Sequence, residues 1–136
     1  MTTARKKPET LRLRGIAPSI TVGDVDTSLK WYRDVVGFVA KETWEKDGEL
    51  MAAEMVAGSQ TLLLMQDDWA KGRDRVKGEG IRLLLDTNQH IDDLAEAIRD
   101  RGGVLASEPA DKPWGARAFD LVDPDGFKLT VSASFS

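Results

Sequence analysis

The chain is poor in the residue types that usually do chemistry. It contains one histidine, His90, and no cysteine, so disulfides, thiolate metal sites and cysteine nucleophiles are absent together. His90 lies in Asn88-Gln89-His90-Ile91-Asp92, where a strand pattern gives way to a helix pattern. A histidine there serves as a cap or meets solvent. Glu54 is the sharper candidate. It interrupts the apolar run Leu50-Met51-Ala52-Ala53-Glu54-Met55-Val56, where a carboxylate must find water, a partner or a ligand. Facing a cleft it could bind a cationic group or act as a general base; facing outward it is an ordinary solvated strand position.

The large aromatics offer a second kind of chemistry. Trp44 stands beside Glu42 and Glu45, and Trp69 follows Asp67-Asp68. Aromatics among carboxylates suit a planar cation, and they suit a subunit interface equally well. Trp114, just after Pro113, reads either as a stacking platform for a flat ligand or as a plug at a sheet rim. Arg117 and Lys128 point instead toward an anionic ligand group. No phosphate-cradling loop, paired-carboxylate spacing, Ser/His/Asp arrangement or nucleic-acid motif stands out. Gly78-Glu79-Gly80 precedes a strand, whereas a dinucleotide fingerprint must follow one and open a helix.

The elements that would position these groups follow from periodicity. Pro18–Val22 alternates as a strand; then Val25, Leu29, Tyr32 and Val36 fall on one face of a helix that Gly37 ends. Asp24 or Asp26 can cap it. Three strands follow, over Phe38–Glu45, Glu49–Ala57 and Gln60–Gln66, with turns at Asp47-Gly48 and Gly58-Ser59. After a polar link the order returns: a strand over Ile81–Thr87, a helix from about Ile91 to Arg101, Gly102-Gly103, then strands near Val104, Ala116 and Phe127. An offset of 66 places Asp26 on Asp92, Arg33-Asp34 on Arg99-Asp100 and Gly37 on Gly103. The chain therefore reads as one βαβββ module used twice.

Composition bounds the rest. A length of 136 residues, 41% hydrophobic and 31% charged, suits one soluble domain. No apolar run is long enough to cross a bilayer, and MTTARKKPET lacks the apolar centre of a signal peptide, so the cytoplasm is the expected compartment. The net charge is −4, yet Arg5, Lys6, Lys7, Arg12 and Arg14 crowd the start against Glu9. Such an arm can read as a nucleic-acid tail; a solvated or partner-draped terminus is the plainer reading.

The stretch Pro113–Val131, PWGARAFDLVDPDGFKLTV, combines an aromatic-Gly-x-Arg-x-Phe strand with an Asp-Pro-Asp-Gly turn and a second strand. With the opening PSITVGDVDTSLKWYRDVVGF, it resembles the vicinal oxygen chelate superfamily, which includes glyoxalase I, extradiol dioxygenases and bleomycin resistance proteins. The resemblance runs from Pro18 to Ser132. It implies an α+β fold of two βαβββ modules whose curled mixed sheets enclose a cleft. It also implies residues 1–14 as a basic arm and residues 15–136 as a single domain, with modules at 15–66 and 79–133 and a linker at 67–78.

In the metal enzymes of that superfamily a Glu sits four residues after the turn glycine, where this chain has Thr130. The first-module counterpart is Leu63. The first-strand ligand falls at Ala17 or Ser19, and its second-module counterpart lies within Ile81–Leu84, where Arg82 is the polar residue and would repel a cation. The resemblance then implies no metal and no cofactor. It turns Lys128, Thr130 and Ser132 to the cleft, with Thr61, Leu63 and Met65 likewise. Arg117 and Phe119 share one face of the penultimate strand. The expected ligand-binding set is Trp114, Arg117, Phe119, Lys128, Thr130, Leu63, Met65 and Trp44, with Glu54 as the one catalytic candidate. The implied protein is a homodimer that sequesters a drug-like or aromatic small molecule, binding neither nucleic acid nor membrane. A glyoxalase- or isomerase-type enzyme with a non-standard site is the alternative, and a protein-binding module with a filled cleft is the third reading.

Overall fold

The computed structural model describes residues 10–135. Of the basic arm, Arg12 and Arg14 are exposed, while Arg5, Lys6 and Lys7 lie outside the described residues. The first module is β1 (Ser19–Val22), α1 (Val25–Lys30), a π-helical turn (Trp31–Val36), β2 (Val39–Lys46), β3 (Glu49–Ala57) and β4 (Gln60–Gln66). The second is β5 (Arg82–Asp86), α2 (Ile91–Asp100), β6 (Ser107–Lys112), β7 (Ala116–Val122) and β8 (Lys128–Ser134). Each module builds one four-stranded mixed sheet, in the orders β1-β4-β3-β2 and β5-β8-β7-β6. The first strand of each module runs parallel to the fourth, and the remaining pairs are antiparallel.

Local chemistry explains most of this. Asp47 and Gly48 both take positive φ, +54° and +80°, the backbone a two-residue hairpin needs. Gly37 takes φ +113° at the end of the first helix. There the chain departs from a plain α-helix: the amides of Gly37 and Phe38 both donate to the Tyr32 carbonyl at 2.9 Å, which widens the last turn to π geometry. The widened turn lets Phe38 meet Tyr32 edge-on, with ring centroids 5.6 Å apart.

Alternation divides each sheet into two faces. Ile20, Val22, Ala53, Met55, Leu62 and Leu64 pack under the first helix, and Phe119, Leu121, Leu129 and Val131 pack under α2. These residues join one continuous core. The opposite face of each sheet has no helix over it, although Ala52 on the first and Ala118, Thr130 and Ser132 on the second are buried there.

The second strand of the second module, β6, starts at Ser107 rather than near Val104. A Cβ on Gly103 would lie 2.5 Å from Ile98 Cγ2 and 2.7 Å from Val35 Cγ1. The chain thus passes tightly beneath the helix end before rejoining the sheet, where the Ala106 amide reaches the Asp120 carbonyl at 2.8 Å.

The modules are joined by polar side chains from both halves. Tyr32, fully buried, donates to Asp123 at 2.8 Å. Asp125 of the Asp-Pro-Asp-Gly turn accepts from the Gly23 amide at 2.9 Å and from the Ser28 hydroxyl at 3.3 Å. Arg101 donates to the Val35 and Val36 carbonyls at 2.9 and 3.2 Å, capping the π turn. The link after β4 is equally tied down. Asp67 is buried against Lys77 at 2.9 Å and Arg75 at 3.3 Å, and Arg73 and Lys77 flank the Trp69 ring at 4.5 and 5.1 Å.

Candidate ligand site on the open sheet faces

Strand register assembles the open face of the first sheet into rows. One row runs Ser19, Leu63, Glu54, Glu42; the next runs Thr21, Met65, Ala52, Trp44. Ser19, and not Ala17, is therefore the first-strand neighbour of Leu63. Irregularities in β2 between Ala40 and Glu42 and between Trp44 and Glu45 set its register, with Glu42 opposite Glu54 and Trp44 opposite Ala52. Glu54 and Glu42 stand directly opposite each other, and among the described residues neither has an ion-pair partner. Trp44 is 47% exposed and Met65 41% exposed on the same face.

The second sheet repeats the arrangement with different chemistry. Its rows are Arg82, Lys128, Val122; then Leu84, Thr130, Asp120, Ser107; then Asp86, Ser132, Ala118, Ala110. Asp120 thus occupies the place that Glu54 holds in the first module. A hydrogen-bonded chain crosses the middle row. The Ser107 hydroxyl donates to Asp120 Oδ2 at 2.9 Å, the Thr130 hydroxyl donates to Asp120 Oδ1 at 2.6 Å, and Arg82 Nη1 donates to the Thr130 oxygen at 3.0 Å. Burial alone would raise the Asp120 carboxyl, but the two hydroxyls and Arg82 outweigh it and hold the group below its ordinary range. The sequence pointed to neither Asp120 nor Ser107, and presented Arg82 only as hostile to a metal. The available signal was parity, since Arg82 and Leu84 fall on Thr130's face of the module.

Two of the expected ligand-binding residues face the other way. Phe119 pairs with Val131, and Arg117 with Ala133, so both project to the helix side. Phe119 is fully buried in the core. Arg117 grips Asp92 of α2 through Nε and Nη2 at 2.9 Å each and Asp111 through Nη1 at 3.0 Å. The Asp92 and Asp111 hydrogen bonds push its guanidinium further above its ordinary range, and Arg117 in turn lowers the Asp92 carboxyl. Parity misleads at these positions because the strand fixes a face but only the helix shows which face is covered. Trp114 sits at the tip of the β6–β7 turn, 68% exposed. His90 is the N-cap of α2, its Nδ1 accepting from the Asp93 amide at 3.3 Å.

The four side chains at the ligand positions implied by the fold are Ser19, Leu63, Leu84 and Thr130. Two hydroxyls and two hydrocarbon chains do not fit a divalent cation, which needs converging imidazole or carboxylate donors. Among the described residues no group of three or more His, Cys, Asp or Glu could hold a metal ion. A groove of about 1070 Å³ runs past the edge strand β5, where Arg82 and Leu84 meet helix-side residues such as Leu62, Leu83, Leu85 and Val131; it lies at the module boundary and takes in none of Leu63, Met65, Trp44, Lys128 or Thr130.

The chain is thus built of paired βαβββ modules, each with one helix-covered face. The model of the Glyoxalase/Bleomycin resistance protein/Dioxygenase superfamily matches residues 14–131, and the chain belongs to that superfamily. It is 29% identical over 118 residues to a probable lactoylglutathione lyase from Synechocystis sp., covering 82% of this chain and 88% of that protein. A glyoxalase-related enzyme from Clostridium phytofermentans superposes with a TM-score of 0.74 at 17% identity, covering 94% of this chain and 100% of the other. TioX from Micromonospora sp. ML1 gives 0.73 at 16% identity, covering 88% and 98%. Among the described residues no helix is long and apolar enough to cross a membrane.

Proposed function

We propose that this chain is a metal-free binding protein that sequesters an amphipathic small molecule on its open sheet faces, and that it works as a homodimer in the cytoplasm. The observation that carries the reading is the donor set at the four ligand positions, where Ser19, Leu63, Leu84 and Thr130 offer no imidazole or carboxylate. Leu63, Met65 and Trp44 supply apolar and aromatic contact, Lys128 supplies polar orientation, and Thr130, buried and engaged by Asp120 and Arg82, sets the Arg82 side chain in place. Trp114, exposed at a turn tip, would stack on a ligand or on a second copy. The test is metal content of the purified protein, followed by thermal shift with Ni, Mn, Zn and Fe ions and with a panel of planar antibiotics. Absence of metal together with stabilisation that grows with ligand concentration supports the reading. Stoichiometric metal overturns it.

One observation favours a second reading, a lyase or isomerase of the kind the Synechocystis relative is named for. Glu54 has no cation partner among the described residues and stands on the open face, as a general base would. That enzyme would show a pH-dependent rate lost in Glu54→Gln.

A further inference from the structure

Arg82 is held as an anchored guanidinium is held, not as a solvated surface arginine is. Its Nη1 is fixed on the Thr130 hydroxyl at 3.0 Å and lies 3.5 Å from Asp120 Oδ1, while its side chain remains 47% exposed. Thr130 is in turn fixed by Asp120, and Asp120 by Ser107, so the rotamer is set by three successive hydrogen bonds. Arg carries five N–H donors in a planar fork. Among the described residues, Nε and Nη2 have no acceptor.

The neighbours bias this fork toward an anion. Lys128 is the register partner of Arg82 on the same face and has no ion pair among the described residues. Two cations therefore stand side by side against the single carboxylate of Asp120, whose oxygens both already accept hydroxyl hydrogens. Like charges opposed across a ladder are unfavourable unless something neutralises them. Leu84, two residues along the same strand face, is 65% exposed, and with Arg82 it borders the groove at the edge of β5, to which Lys128 does not contribute. A charged anchor and an apolar contact about 7 Å apart describe an amphipathic ligand with an acidic head.

We infer that Arg82 is the anion anchor of the ligand site, with Lys128 as its auxiliary charge, and that the natural ligand carries a carboxylate on an apolar or aromatic body. This inference rests on the small-molecule-binding reading. Arg82 takes the carboxylate through Nε and Nη2, Lys128 offsets the repulsion from Asp120, and Leu84 covers the first part of the body.

The test uses three naphthalene probes of matched size: 1-naphthoate, neutral 1-naphthamide and cationic 1-naphthylmethylammonium, titrated calorimetrically into the full chain. The expected order is naphthoate well above the amide, with the cation weakest. Arg82→Gln should weaken naphthoate roughly 10- to 100-fold, the worth of hydrogen bonds to a charged group, and leave the amide unchanged. Arg82→Lys, which keeps the charge and loses the fork, should fall between; Lys128→Gln gives a smaller loss and checks the site should Arg82→Gln fail to fold. Equal affinity of naphthoate and amide, or preference for the cation, overturns the anion assignment while leaving a binding protein. Absence of binding by all three probes overturns the binding reading with it. If Arg82→Gln alters the oligomeric state but leaves naphthoate affinity unchanged, the anion belongs to a second copy, and the small-molecule assignment fails.

Discussion

Replacing Tyr32 with Phe removes one oxygen from the joint between the modules and tests how that joint is held. Tyr32 and Asp123 are both buried, and their 2.8 Å contact sits beside two backbone donors to Asp123, from Asp125 at 2.9 Å and Phe127 at 2.8 Å. Burial drives the Tyr32 phenol far above its ordinary range, reinforced by Asp123, so it stays a donor at every working pH. Burial also raises the Asp123 carboxyl, against the pull of the Tyr32 and backbone hydrogen bonds. Loss of a hydrogen bond to a charged group costs about 1.5–3 kcal/mol, and the ring itself is kept. For a domain of this size that is a fall in Tm of roughly 5–12 °C.

The sign with pH distinguishes this joint from simple packing. A carboxyl raised above its unfolded value binds more protons in the folded state, so its burden on stability is present at neutral pH and is relieved as pH falls through the folded pKa. Without the phenol, Asp123 rises further, and the burden at neutral pH grows. The difference between wild type and Tyr32→Phe should therefore be largest near pH 7.5 and shrink toward pH 4. Urea unfolding at both pH values, with unchanged m-values, measures it. A difference below about 0.5 kcal/mol, where ordinary surface changes fall, or one that grows on acidification, would refute the account.

Other consequences can be checked alongside. Gly78 has φ +78°, and a Cβ there would meet the Gly126 carbonyl oxygen and lie 2.7 Å from the Gly126 carbonyl carbon; Gly78→Ala should cost about 2–4 kcal/mol in urea unfolding, from left-handed strain and overpacking together. Lys77→Met removes the cation that chiefly holds the buried Asp67 carboxyl below its ordinary range, so limited proteolysis should cut between residues 67 and 80 faster than in the wild type. That stabilising contribution is present above the unfolded Asp pKa and lost as pH falls through the lowered folded one, so wild-type cleavage in the link should accelerate under acid. Glu54→Gln relieves the opposed Glu42 and should raise stability by a few tenths of a kcal/mol at low salt; a clear loss would mean that Glu54 has a partner in solution.

The module order was readable because its punctuation is local. Asp47-Gly48, Gly58-Ser59, Gly37 and the Asp-Pro-Asp-Gly turn each dictate backbone geometry without help from distant residues. The faces of β4 and β8 were readable too, since parity is intrinsic to a strand. What escaped were properties decided by a partner far along the chain. The start of β6 follows from Gly103 packing under Val35, and the π turn brings Phe38 onto Tyr32 across the sheet entry, a contact the local sequence does not show. Arg117 looked available because nothing within its strand shows that Asp92 of α2 stands over it. The link from Asp67 to Glu79 is polar and charge-rich in sequence, yet in the fold Lys77 returns to bury Asp67. Arg82 was visible, and its role emerged only when register set it beside Thr130 and Lys128.

The joint between the halves also distributes mutational risk unevenly. At Gly23, Val35 and Val36 the first module contributes amides and carbonyls, which any residue brings with it. Facing them, the second module contributes the carboxylate of Asp125 and the guanidinium of Arg101, each removable by a single codon change. The hydrogen bonds at Val35 and Val36 thus survive a change of side chain, where a change at Asp125 or Arg101 breaks the contact, although both valines still pack against the core. Gly23 has less room, because a Cβ there would press on Asp125 at 3.1 Å. The turn at Gly58-Ser59, the first module's counterpart of Asp125-Gly126, carries no carboxylate. At these backbone contacts the obligation falls on the second half, whereas among the described residues the first half is bound by its own side chains only at Tyr32 and Ser28.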